Sequence, residues 1–104
     1  MQYVVMAEHS PTLCPISNAQ IRAILKEGVK HIPGLAQKLG IEVINLRVFG
    51  PDHIIMVIVE AGDIEAVRSF ITESGLIQWN TTKVHATWSL EEALEKVDSL
   101  TPIF

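Results

Sequence analysis

Ile54-Ile55-Met56-Val57-Ile58-Val59 is an apolar run with no alternation of polar and apolar positions. A strand with no polar face has to be covered on both sides. Two other strand-like stretches behave differently. Asn45-Leu46-Arg47 and Lys83-Val84-His85-Ala86-Thr87 alternate polar with apolar residues. One layer of helices covers only one face of a sheet. The unpatterned run therefore calls for a second cover, either another subunit or an enclosed pocket.

Working outward from this run gives the element order. Tyr3 to Glu8 reads as strand one, followed by the two-proline loop His9-Ser10-Pro11-Thr12-Leu13-Cys14-Pro15. Ser17 fits a helix N-cap with Gln20 completing a capping box, and Ile16 and Ile21 occupy the hydrophobic-staple positions. Ile21, Ile24, Leu25, Val29 and Ile32 form a stripe at helical spacing. Pro33 is expected to kink or restart that helix, and Gly40 fits the residue just past its end. Ile41 to Phe49 reads as strand two, Gly50-Pro51-Asp52 as a turn, and His53 opens strand three. Asp63 caps a second helix with Ile64, Val67, Phe70 and Ile71 on one side, ending near Gly75. Thr81 to Trp88 is strand four. Ser89 and Glu92 then form a capping box for a last helix bearing Leu90, Ala93, Leu94 and Val97.

The order is βαββαβ with a terminal helix. Right-handed crossovers and a short hairpin select a ferredoxin-like α+β fold with an antiparallel sheet ordered 4-1-3-2. The polarity contrast supports the same order independently: the unpatterned run becomes central, and the two alternating stretches become edges. Length fits a single domain spanning residues 1–104.

Composition narrows the function classes. A net charge of -4 and a pI of about 5.5 argue against nucleic acid as a partner, because phosphates call for a basic face. No apolar run reaches membrane-spanning length, and the start Met1-Gln2-Tyr3-Val4-Val5 has no signal-peptide pattern. Cys14 is the only cysteine, so no intrachain disulfide forms, and a cytoplasmic location is the expectation. Hydrophobic residues make up 48% and charged residues 19%, with a mean hydropathy of +0.30. That excess favours a homodimer or higher oligomer.

In element order and length the whole chain resembles the dimeric α+β barrel superfamily, small ferredoxin-like domains that pair sheet to sheet around a cavity. The resemblance implies relatives among cofactor-independent monooxygenases, haem-degrading proteins, muconolactone isomerases, dye-peroxidase relatives and ligand-sensing regulator domains. The segment Ala7-Glu8-His9-Ser10-Pro11 is similar to small uncharacterised or metal-binding members with a histidine at the end of the first strand.

Two groups of residues carry possible chemistry. The proposed topology brings His9, His53 and the segment Trp79-Asn80-Thr81 to one rim, with the Cys14 loop over it. Two imidazoles and a thiol, with Glu8 nearby, suit a divalent transition metal such as Zn²⁺, Ni²⁺ or Cu²⁺. The alternative is that both histidines satisfy loop backbone and that Cys14 is a small buried hydrophobe. The second group is Asn45, Arg47, Lys83 and His85, which share the open face of the sheet. Around an apolar centre they suit an organic anion or polar aromatic molecule. His85 is then the candidate general acid or base, with Glu8 as a second carboxylate candidate. The competing reading gives edge charges the task of blocking strand pairing. Strand one leaves its faces open, with Tyr3, Val5, Ala7 and His9 on one side and Val4, Met6 and Glu8 on the other. His31, near a helix end, reads as a solvated residue. No Gly-rich phosphate loop, G-x-S-x-G, C-x-x-C or H-E-x-x-H pattern occurs. The expected function is a small-molecule or metal-binding barrel protein, with its cavity on the open sheet face. The alternatives are a monooxygenase- or isomerase-like enzyme and a non-catalytic sensing or assembly module.

Overall fold

The computed structural model describes residues 1–104. Strand β1 (Gln2–Glu8) leads through a tight 3-10 turn at Pro11–Leu13 into helix α1 (Ala19–Leu39). Strands β2 (Glu42–Phe49) and β3 (Ile54–Glu60) form a hairpin, followed by α2 (Ile64–Glu73), β4 (Thr81–Ala86) and α3 (Leu90–Asp98). The sheet is four-stranded in the order β2-β3-β1-β4, with every pair antiparallel. This is the ferredoxin-like arrangement expected from the connectivity, with the unpatterned run as a central strand. No helix is long and apolar enough to cross a membrane.

The two faces of the sheet are unequal. Tyr3, Val5 and Ala7 of β1 and Ile55, Val57 and Val59 of β3 are buried against the helices. Ile21 from α1 and Val67, Phe70 and Ile71 from α2 complete the core. Val4 and Met6, with Met56 and Ile58, lie on the other face and are only half-buried. Gln2 and Glu8, polar and exposed, belong to that same face. The face of strand one that the sequence left open is thereby decided.

Helix termini follow local chemistry, with one displacement. The cap of α1 is Asn18, not Ser17: Asn18 Oδ1 accepts from Ile21 N–H at 3.0 Å. Ser17 is occupied elsewhere, its hydroxyl donating to the carbonyls of Pro11 (2.8 Å) and Cys14 (3.3 Å). Pro33 sits inside a continuous α1, and Gly40 ends that helix at φ 66°. That left-handed conformation carries little penalty for glycine. Asp63 caps α2, and Ser89 with Glu92 forms the full capping box of α3.

Edge strand β2 is irregular at Ile44. The register slips between Val43 and Asn45, so Ile44 is the extra residue of a bulge. Leu46 and Val48 pair with Val57 and Ile55 and so point to the helix side. The helices leave them uncovered, and they remain 42% and 64% exposed.

Candidate metal centre

The loops at one end of the sheet are tied down before any ligand is considered. His9 N–H donates to the carbonyl of His53 at 3.1 Å, joining the β1 exit to the β3 entrance. Cys14 closes the 3-10 turn, its N–H donating to Pro11 O at 3.3 Å. Its own carbonyl accepts from the N–H groups of Ser17 (3.0 Å) and Asn18 (2.8 Å). Asn18 Nδ2 donates to Thr12 O at 2.9 Å, and Arg22 donates to the carbonyls of Pro15 and Ile16 at 2.9 and 2.7 Å. A two-proline loop with this many internal bonds positions Cys14 rather than letting it wander.

His9, Cys14 and His53 each offer one donor atom, and these three atoms lie within 4.8 Å of one another. Donor atoms around one zinc or copper ion are spaced by about 3.4–3.8 Å, given bond lengths near 2.0 Å to nitrogen and 2.3 Å to sulfur. Closing the set therefore takes about 1 Å of side-chain adjustment. The rings meet edge to face, with centroids 5.5 Å apart and planes at 72°. Trp79 packs on His9 at 5.0 Å.

The hydrogen bonding of His9 has a direction. Buried Asn80 donates through Nδ2 to Leu76 O at 3.0 Å, which turns its Oδ1 toward His9 Nδ1 at 2.9 Å. An amide oxygen only accepts, so His9 Nδ1 carries a proton, and in the neutral ring the lone pair is on Nε2. His9 Nε2 and His53 Nδ1 are both buried without a hydrogen-bond partner. Two orphaned ring nitrogens beside a buried thiol are unusual, because buried polar atoms are nearly always paired. A second polar group that fixes the ring and its tautomer is the ordinary support of a metal-ligating histidine.

The three donors open onto a cavity of about 200 Å³. It lies between α1 and the sheet, with Ile24, Val29, Leu46, Val48, Phe70 and Trp79 among its walls. This is the helix side of the sheet. The cavity expected on the open face is not formed by a single chain. Parity sets the side of the histidine cluster: His9 follows Tyr3, Val5 and Ala7 toward the buried face.

The open-face residues do stand where the alternation put them. Arg47, Met56, Met6 and Lys83 make one row across the sheet, and Asn45, Ile58, Val4 and His85 the next. Edge to edge, a row spans three strand spacings, about 14 Å. One chain therefore does not gather Asn45, Arg47, Lys83 and His85 around a small ligand. Glu8 is exposed on this face opposite Thr81 and Ile54, with no ion pair to Arg47 or Lys83. Glu27 belongs to neither group and is exposed on the outer side of α1. Its carboxyl is held below the ordinary range, first by the hydrogen bond from His31 and then by the charge of Lys30.

Sequence reasoning placed the right segments at this rim but missed the part played by Asn80. Nothing in an Asn-Thr-Thr strand start marks the amide as a histidine support. The signal for the correct face was present in the polar ends Gln2 and Glu8, which exclude Val4 and Met6 from the core.

No protein-family model matches the chain, and no curated protein matches it. Among solved structures, it is similar to a protein from Deinococcus radiodurans named "putative transposase", at 13% identity and a TM-score of 0.47. That match covers 95% of this chain and 88% of the other. At that score the likeness carries no functional argument.

Proposed function

We propose that this protein binds one transition-metal ion through His9 Nε2, Cys14 Sγ and His53 Nδ1. The observation that carries the reading is that both histidines of this three-donor cluster carry a buried ring nitrogen with no hydrogen-bond partner. Imidazole and thiolate together suit zinc, copper and nickel far better than magnesium or calcium. The adjoining cavity gives an exogenous ligand room beside the ion, and its walls restrict that ligand to a small, largely apolar molecule. Catalysis is not required by this reading: three protein donors and an open position serve binding, sensing or delivery equally well.

The test is metal stoichiometry on the purified chain, followed by competition against a chromophoric chelator. One ion per chain is expected. A His9→Ala, His53→Ala double variant should lose at least about 100-fold in affinity, and Cys14→Ser a comparable amount. Substoichiometric uptake by the parent chain, or undiminished uptake by the double variant, would overturn the proposal.

A second reading concerns the other face and is compatible with the first. We propose that two copies pair through the open sheet face. The support is the apolar centre Val4, Met6, Met56 and Ile58 together with α3, none of whose residues is buried. Asn45, Arg47, Lys83 and His85 then rim the interface, where they are available to a small-molecule ligand enclosed between the sheets.

A further inference from the structure

We infer that the His9–Cys14–His53 site is built for a monovalent soft ion, copper(I), held as a neutral three-coordinate complex. The inference rests on the metal-binding reading above and concerns which ion that site takes.

Charge is the deciding quantity. Two neutral imidazoles and one thiolate supply a single negative charge. With a monovalent ion the complex is neutral. With a divalent ion it keeps a positive charge beside a cavity whose exposed wall is almost wholly apolar. An uncompensated charge is strongly disfavoured in such surroundings. No Asp or Glu belongs to the donor cluster. Glu8 and Asp52, the chain neighbours of the two histidines, are exposed and line an outer cleft that His9 and His53 also border, without joining the donor cluster.

The support behind His9 points the same way. Zinc sites commonly place a carboxylate behind a ligating histidine, which adds negative charge and raises its basicity. Here the position is held by Asn80, a neutral amide whose orientation is fixed by its bond to Leu76 O. The hydrogen bond is kept and the charge is left out. Donor spacing is a further consideration. A trigonal set is wider than a tetrahedral one, so three ligands spread up to 4.8 Å close on a three-coordinate ion with less movement. Thiolate and imidazole are also the donors that copper(I) prefers.

The experiment compares copper(I), silver(I) as a redox-inert stand-in, and zinc on the full chain under anaerobic conditions. Affinities come from chelator competition, and the coordination number from X-ray absorption. The parent chain should bind copper(I) and silver(I) at one per chain, copper(I) with one sulfur, two nitrogens and no water. Zinc should bind more weakly and gain at least tenfold in affinity when millimolar azide supplies the missing negative charge. Asn80→Asp adds that charge without touching a donor atom. It should move the zinc-to-copper affinity ratio at least tenfold toward zinc, whereas Asp52→Asn should leave the ratio unchanged. A parent chain that binds zinc four-coordinate, with no response to azide or to Asn80→Asp, would overturn the inference and leave the metal site standing. Should Asn80→Asp fail to fold, the coordination number and azide response of the parent chain still decide. Binding of none of the three ions at His9, Cys14 and His53 would remove both proposals.

Discussion

His53 combines two features that sit awkwardly together. It has φ 55° and ψ 41°, the chain's only non-glycine residue with positive φ, and it carries a buried, unpartnered ring nitrogen. A residue with a Cβ is disfavoured in that region by roughly 1–2 kcal/mol. The turn after β2 accepts a glycine there more readily, yet the position is a histidine. Residues held in this region cluster at functional sites. Two substitutions separate the effects. His53→Gly relieves the backbone, removes the orphaned nitrogen and deletes the ligand. His53→Ala deletes the ligand but keeps the strained φ. The glycine variant should be more stable than the alanine variant by about 1 kcal/mol, and both should lose metal binding. Urea denaturation of the metal-free proteins measures the difference. Equal stabilities would mean that the turn imposes no strain on this residue.

At the level of elements, the cavity lies where α1 packs close to the end of α2 while Leu46 and Val48 of β2 stay uncovered. Gly28 marks a close approach: a Cβ there would stand 2.7 Å from the carbonyl oxygen of Ser74. That neighbour is backbone and cannot swing aside. Gly28→Ala gains up to about 1 kcal/mol of helix propensity but must push the helices apart, at about 1–3 kcal/mol. The expected net effect is a loss of about 1 kcal/mol in chemical denaturation. A variant more stable than the parent would show that α1 shifts freely. The elements themselves were legible in the sequence. Capping signals at Asp63 and at Ser89 with Glu92 act locally, and strand order follows from connectivity and polarity. Residues whose position depends on a partner distant in sequence were harder to read. Ser17 and Asn18 are both good caps, and the choice turns on which carbonyls of the Pro11–Cys14 turn claim the serine hydroxyl. His9 and His53 could be placed at one rim. Their orientation depended on the face of β1, and the Asn80 contact on packing that no local pattern encodes.

The whole molecule is more extended than a compact monomer of its length. A folded chain of 11.5 kDa exposes about 5,800 Å², whereas this one exposes 7176 Å². Its radius of gyration is 16.1 Å, against about 13 Å for a compact domain of this length. The excess has an address. Leu90, Leu94 and Val97 run along one side of α3 and are exposed, as are Leu100, Ile103 and Phe104 beyond it. The open sheet face presents Val4, Met6, Met56 and Ile58. Covering about 1,400 Å² on each of two chains gives a total near 2,700 Å², within the range of obligate homodimers. One surface is a flat apolar sheet and the other an amphipathic helix with no partner in its own chain. A two-fold arrangement that lays both against a second copy satisfies each at once. Light scattering at micromolar concentration should return twice 11.5 kDa. Ile58→Lys at the centre of the face, or removal of residues 90–104, should shift the equilibrium to monomer and lower thermal stability. High salt should not dissociate the parent, because the contact is apolar rather than ionic. A parent chain that stays monomeric at these concentrations would sink the dimer, and the third strand's missing polar face would then need a different cover.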